Sequence, residues 1–131
     1  MYSPVAIKID DLAKAVGAEL EAYADEIAQT VKSSVEEVAQ ETVRDVKRRS
    51  PVDRGDYRKS WTRTTVRETL HSIVISVYNR KHYRLTHLLE NGHALVNGGR
   101  TKAQPHIAPA ERDAERTLLQ KVQEDIREVS Q

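Results

Sequence analysis

From Ile9 to Val46 an apolar side chain returns about every 3.7 residues, the period of a straight α-helix and longer than the 3.5 of a left-handed coiled coil. The stripe is Ile9, Leu12, Val16, Leu20, Tyr23, Ile27, Val31, Val35, Val38, Val43 and Val46. It predicts one helix over residues 11–48. Asp10 or Asp11 can cap its start, and Ser50-Pro51 must end it, because the residue before proline is driven out of the helical region. Such a helix would reach about 55 to 60 Å at 1.5 Å per residue, well beyond the diameter of a compact domain of this size. It therefore breaks near Gly17 or at Ser33-Ser34, or overhangs its own domain and needs a neighbour, or curves around its own sheet. Val31 and Val35 would lie in any interface built on an overhang.

The rest of the core is thin. The 131 residues are 38% apolar, with no Phe, one Trp and five Tyr. A domain of this size ordinarily buries roughly two thirds of its unfolded surface, so burial against other subunits is the natural complement. The absence of cysteine excludes disulfides and thiolate metal sites and fits a reducing compartment. No apolar run approaches the ~20 residues that cross a bilayer, and Met1-Tyr2-Ser3-Pro4 starts no signal peptide, so a soluble protein without membrane contact is expected.

Beyond Pro51 the chain reads as a single α+β domain, 1–131. A turn-rich connector, 49–60, carries the turn signal Asp53-Arg54-Gly55-Asp56. A β-hairpin over 61–79 follows, its strands rich in Thr, Val and Ile, with Ile73, Ile75 and Val77 on one face. Two strands alone are marginal, so a third is expected around His93 to Val96 or from a neighbouring subunit. Residues 83–91 form a short helix with Leu85, Leu88 and Leu89 as its apolar face, closed by Gly92 in a left-handed conformation. The loop 92–107 contains the bend Asn97-Gly98-Gly99 between Arg100, Lys102 and the flanking Pro105 and Pro109. A final helix, 108–129, begins with Pro109 in its first turn and buries Ala110, Ala114, Leu118, Val122, Ile126 and Val129.

Net charge is +1, from 21 basic and 20 acidic residues, so the molecule as a whole has no general attraction to nucleic acid. Locally, nine basic residues from Arg44 to Arg67 face three acidic ones. Arg48, Arg49, Arg54, Arg58 and Lys59 are the candidates for contact with DNA or an acidic partner. Against that, Lys47, Arg48 and Arg49 suit the negative end of a helix dipole, and the segment lacks the interleaved aromatics of a single-strand binder. Arg54-Gly55-Asp56 spells the integrin tripeptide by coincidence, in a chain with neither secretion signal nor cysteine.

Chemistry finds little support. His87, Glu90 and His93 are spaced by three, with His82 close by, but a helical zinc pair wants i and i+4, and Gly92 interrupts the helix before His93. A nuclease would need His87, Glu90 and His106 around one cleft, and they lie on either side of a glycine-rich loop. Neither a phosphate-cradling loop nor a nucleophile elbow occurs. No catalytic residue, cofactor or metal is expected, and Glu90 is read as a local anchor for backbone or for Arg84.

Three ordered segments carry a family resemblance. Ser50-Pro51-Val52-Asp53-Arg54-Gly55, running on to Lys59-Ser60, resembles a Ser-Pro-x-Asp-Thr-Gly signature; Leu88-Leu89-Glu90-Asn91-Gly92-His93 resembles an apolar-Glu-x-Gly turn; and Gln104-Pro105-His106-Ile107-Ala108-Pro109-Ala110-Glu111 resembles a Pro-x-x-x-Pro-Ala helix start. Together they resemble the tail-component (neck, head-tail joining) family of long-tailed phages of the Hong Kong 97 type. Arg54 stands where Thr is common, and His106 and Ile107 where an aromatic and a leucine are common. The resemblance implies a structural virion protein at the head-tail junction, assembled in the host cytoplasm into a homo-oligomeric ring. Its partners would be a head-completion or connector protein and a tail terminator or tail tube protein, with transient contact to phage DNA. Pro51, Gly55, Glu90, Gly92, Pro105 and Pro109 would be structural, and Asn97, Gly98, Gly99, Arg100 and Lys102 would meet a partner. The alternatives are a tail-terminator ring, or a nucleic-acid-binding module using residues 44–67.

Overall fold

The computed structural model describes residues 2–8, 21–52 and 55–129. In order the elements are β1 (Tyr2–Lys8), α1 (Glu21–Arg49), α2 (Asp56–Lys59), β2 (Trp61–Thr69), β3 (Ser72–Asn79), α3 (Leu85–Asn91) and α4 (Ile107–Val129). The fold is α+β: a long helix, an antiparallel sheet, short helices and a terminal helix.

α1 runs unbroken through Ser33-Ser34 for 29 residues, about 43 Å of helix. No break occurs at the serines because Ser33 faces solvent while Ser34 Oγ donates to Asp125 Oδ2 on α4 at 2.6 Å. The helix stops at Ser50, whose hydroxyl donates back to Val46 O at 2.5 Å, and Pro51 prevents continuation. The expected start at residue 11, the Asp10 or Asp11 cap and a break at Gly17 lie outside the described residues.

The apolar stripe of α1 is consumed within the protein. Val31 and Val35 are 0% exposed and pack with Ile73 and Ile75 of β3 and with Ala114 and Leu118 of α4. The expectation that these valines serve a subunit interface is thus corrected: they are the middle of the monomer's own core. A second cluster continues along the same helix, where Val43 and Val46 meet Tyr57, Trp61, Val77, Ile107 and Ala110.

The sheet has three strands in the order β1-β3-β2, both pairings antiparallel. β2 and β3 form the hairpin from Trp61↔Asn79 to Thr69↔Ser72, with a register shift between Thr65 and Arg67. The third strand is the amino-terminal segment, running from Tyr2↔Tyr78 to Lys8↔Ser72. It is neither the His93 to Val96 segment nor a neighbouring subunit, as expected from the sequence. Pro4 lies in β1, an edge strand, where proline is tolerated. The hairpin turn is tied to α1 by Lys32, whose buried ammonium donates to Thr69 O and to Glu68 Oε2, and by a 2.5 Å pair between His71 and Asp25.

α3 departs from its sequence reading. Its inward side chains are Thr86 and Glu90, while Leu85 and Leu88 remain 40% and 41% exposed. Leu89 alone of the three leucines packs against the core.

Candidate functional site

The three ordered motif segments meet at one buried node whose centre is Glu90. The Glu90 carboxylate leaves α3 and accepts three backbone N–H groups at the start of α4: His106 and Ile107 at 2.8 Å to Oε1, and Ala108 at 3.0 Å to Oε2. The next residue, Pro109, has no N–H to satisfy. The first turn of α4, which would otherwise leave unpaired donors in the interior, is therefore capped by one side chain from another helix. Burial pushes the Glu90 pKa up, but the three N–H bonds and nearby His106 outweigh it and hold the carboxyl below its ordinary value.

His106 is 0% exposed and links the node to the connector. Its Nδ1 lies 2.8 Å from Gln104 O, an acceptor only, so Nδ1 donates there, and Nε2 shares a 2.6 Å hydrogen bond with the Tyr57 hydroxyl. Burial, then the Glu90 charge, push the Tyr57 pKa up, which keeps that hydroxyl protonated. Tyr57, Trp61 and His106 stack edge to face with ring centroids 5.5 to 6.1 Å apart. The histidine thus fills the place of an aromatic. Trp61 Nε1 donates to Ser50 Oγ at 2.9 Å, and Arg58 donates to Ser50 O at 2.9 Å, closing the carboxyl end of α1. Asn79 Nδ2 reaches Tyr57 O at 2.8 Å and joins β3 to the same node.

Of the residues the sequence singled out, Glu90 is the centre of this node, while Pro51, Gly55, Gly92, Pro105 and Pro109 lie along the chain segments that lead into it. Gly55 opens α2 at φ 80°, and Gly92 closes α3 at φ 73°, ψ 169°. Gly92 is therefore not in the left-handed helical region as expected, but at positive φ with extended ψ. The chain turns directly back along itself there, and a Cβ on Gly92 would lie 2.5 Å from Thr101 O. Sequence reasoning missed Ser50, Tyr57, Trp61, Asn79 and His106 as members. The available signal was the Tyr57/Trp61 pair, two bulky rings one helical turn apart in a chain with few of them.

The loop above this node is an ordered arm. Thr101 N donates to His93 O at 2.9 Å, Leu95 N to Gly99 O at 3.0 Å and Gly98 N to Leu95 O at 3.1 Å, with a single bridge between Ala94 and Arg100. Gly98 and Gly99, at φ 88° and 80°, make the bend. Gln104 N donates to Leu89 O at 2.8 Å and pins the arm's base to α3. Ala94 to Arg100 is exposed throughout, with Leu95 and a fully exposed Val96 near the tip and Asn97, Arg100 and Lys102 beside them.

Three of the basic candidates bond within the protein itself. Arg48 and Arg49 both pair with Asp45, Arg49 also reaches Asp113 at 2.5 Å, and Arg58 caps α1. Lys59 is exposed, and Arg54 lies outside the described residues. The histidine and carboxylate groups weighed for metal or nuclease work have separate tasks: His87 is exposed, His93 Nδ1 bonds Thr101 Oγ1 at 3.1 Å, and Glu90 and His106 are buried in the node.

The family model described as Bacteriophage HK97-gp10, putative tail-component, matches residues 14–92. The chain belongs to this phage tail-component family. No curated protein and no solved structure matches the chain. The matched residues of this HK97-gp10 family member contain α1, the connector, the hairpin and α3, and end at Gly92. They include the Ser50–Ser60 and Glu90-Asn91-Gly92 motifs; the Gln104–Glu111 segment lies beyond them. Membership points to a phage tail-component protein. Among the described residues no helix is long and apolar enough to cross a membrane.

Proposed function

We propose that this HK97-gp10 family member is a virion protein of the head-tail junction of a long-tailed phage, a ring-forming oligomer that joins the capsid connector to the tail without chemistry of its own. The observation that carries the reading is the arm. A buried node of charge-assisted bonds and stacked rings holds the base of an exposed, self-bonded loop whose tip is apolar and whose flanks are cationic. Rigid support under an exposed loop is the arrangement of a recognition element, and Leu95 and Val96 would be covered on docking while Arg100 and Lys102 meet carboxylates of the adjoining ring.

The test leaves the node intact. Thr101 is part of the base, through its bonds to His93 and its approach to Gly92, so Thr101 is kept and Val96 to Gly99 are shortened, or Leu95 and Val96 are replaced by Asp. The isolated protein should fold as before, since these side chains bury little. Filled heads and finished tails should accumulate unjoined. Normal yields of infectious particles would refute the docking role, and tails running past their usual length would place the protein at the tail terminus instead.

A further inference from the structure

The nearly neutral net charge conceals a segregation. In the sequence, residues 21–45 carry seven carboxylates and two cations, whereas residues 46–102 carry thirteen cations and four carboxylates. The fold turns this into two surfaces. On α1, Glu26, Glu36, Glu37 and Glu41 are exposed along the outward side, between Arg63 of β2, which bonds Gln40, and Lys121 of α4, which bonds Glu37. Of the two cations in that stretch, Lys32 is buried beneath the hairpin turn and does not offset them at the surface, while Arg44 is exposed one turn beyond Glu41 and bounds the acidic side there.

The opposite sign gathers where the hairpin ends. Arg80 N donates to Ser60 O at 2.8 Å, which sets exposed Lys59 beside exposed Arg80 and Lys81, and Arg84 follows with its guanidinium 5.7 Å from the Tyr83 ring. Glu90, the only carboxylate between Arg80 and Lys102 in the sequence, is buried under α4, so the exposed charges there are all positive; Asp56, 3.5 Å from His82, is an acidic neighbour from the connector. Beside these cations stand the outward Tyr83, Leu85 and Leu88. α3 turns Leu85 and Leu88 out because Glu90 and Thr86 are inside, and with Tyr83 three large apolar side chains in six residues are left uncovered.

From this we infer that the Lys59, Arg80, Lys81 and Arg84 surface of one copy binds the acidic outward side of α1 on a second copy, head to tail. A two-fold contact centred on either patch would set like charge against like. A head-to-tail contact pairs two different patches, as closed rings require, and gains from charges of opposite sign on the two sides. The inference rests on the ring reading and adds which faces meet within the ring; the arm remains free for the adjoining component.

The experiment uses two charge-reversed full-length chains at exposed positions: Lys81→Glu with Arg84→Glu, and Glu26→Lys with Glu36→Lys. Light scattering and sedimentation follow each alone, the two mixed, and the wild type at low and high salt. The wild type should associate, and less so in high salt, where exposed charges are screened. Each variant should fall to monomer with unchanged circular dichroism, and the equimolar mixture should associate again, since every contact in it once more joins opposite signs. Variants that associate like the wild type would overturn the assignment of faces and leave the ring standing. A wild type monomeric both alone and with its neck partners would overturn the ring itself and this inference with it. Unchanged association, with salt-dependent duplex DNA binding lost in the Lys81→Glu, Arg84→Glu chain, would make the basic surface a nucleic-acid face and refute the contact.

Discussion

Replacing Glu90 by Gln tests the node with one atom exchanged. The carboxylate holds three N–H donors at once, and bonds of this charge-assisted kind are worth more than neutral ones. An amide keeps one acceptor and turns an NH2 toward the remaining donors, so a loss of about 2 to 3 kcal/mol in urea unfolding at pH 7 is expected. The pH dependence has a definite sign. The folded pKa of Glu90 is lowered, so its contribution is complete above the unfolded carboxyl value and disappears as pH falls through the folded one. Wild type and Glu90→Gln should therefore converge in stability toward acid; a gap that stays constant to pH 3 would show that charge has no part in the cap. Gly92 offers a second residue-scale test. Its extended ψ at positive φ is a glycine region, and a Cβ there meets backbone. Gly92→Ala should cost about 2 to 4 kcal/mol, the strain of that region plus displacement of Thr101. Gly55→Ala, with open space around it, should cost only about 1 kcal/mol for its left-handed backbone. Gly92 was legible as a helix stop because that signal is local. Glu90 was legible as an anchor for backbone but not as the cap of α4, since its donors lie 16 to 18 residues further along the chain, and cap signals in sequence are sought within a turn.

At the scale of elements, α1, the hairpin and α4 declared themselves through period and β-propensity, and each depends on contacts those patterns describe. Two elements did not. β1 contains a proline and no clean alternation, and becomes a strand only because β3 presents a free edge to it. α3 has three leucines that read as an inward face, yet the demand of α4 for a cap rotates Glu90 inward and leaves Leu85 and Leu88 outside. The correction to Val31 and Val35 gives a sharp prediction. Asp at Val35 would place an unpaired charge at the centre of the core at a cost of several kcal/mol, comparable to the whole stability of a small domain. The isolated protein should fail to fold by circular dichroism, whereas Glu36→Lys, one residue along on the exposed side, should shift the midpoint by less than about 0.5 kcal/mol. A folded but monomeric Val35→Asp chain would restore the interface reading. Removing residues 1–8 should strip one set of ladder partners from β3. Its alternate amides over Ile73 to Val77 should then exchange faster with solvent, and the chain should tend to pair edge to edge.

The whole molecule is two core clusters strung on one helix. The first joins the amino-terminal half of α1 to β3 and the far part of α4; the second joins its carboxyl-terminal half to the connector, Trp61 and the start of α4. β3 and α4 also enter both, through Ile73 and Ile75 against Val77, and through Leu118 against Ile107. With three elements shared, opening one cluster strips apolar neighbours from the other, and the two should unfold as a single cooperative unit. The chain has one tryptophan, and it lies in the second cluster beside the node. Its fluorescence therefore reports the second cluster, while far-ultraviolet circular dichroism is dominated by the two long helices. The two urea transitions should coincide in the wild type. Val35→Ala, made in the first cluster, should lower both midpoints together by about 2 to 3 kcal/mol of stability. A tryptophan transition that stays in place while the helical signal moves would show that the node and its arm fold as a unit of their own, and that the support under the arm is independent of the core above it.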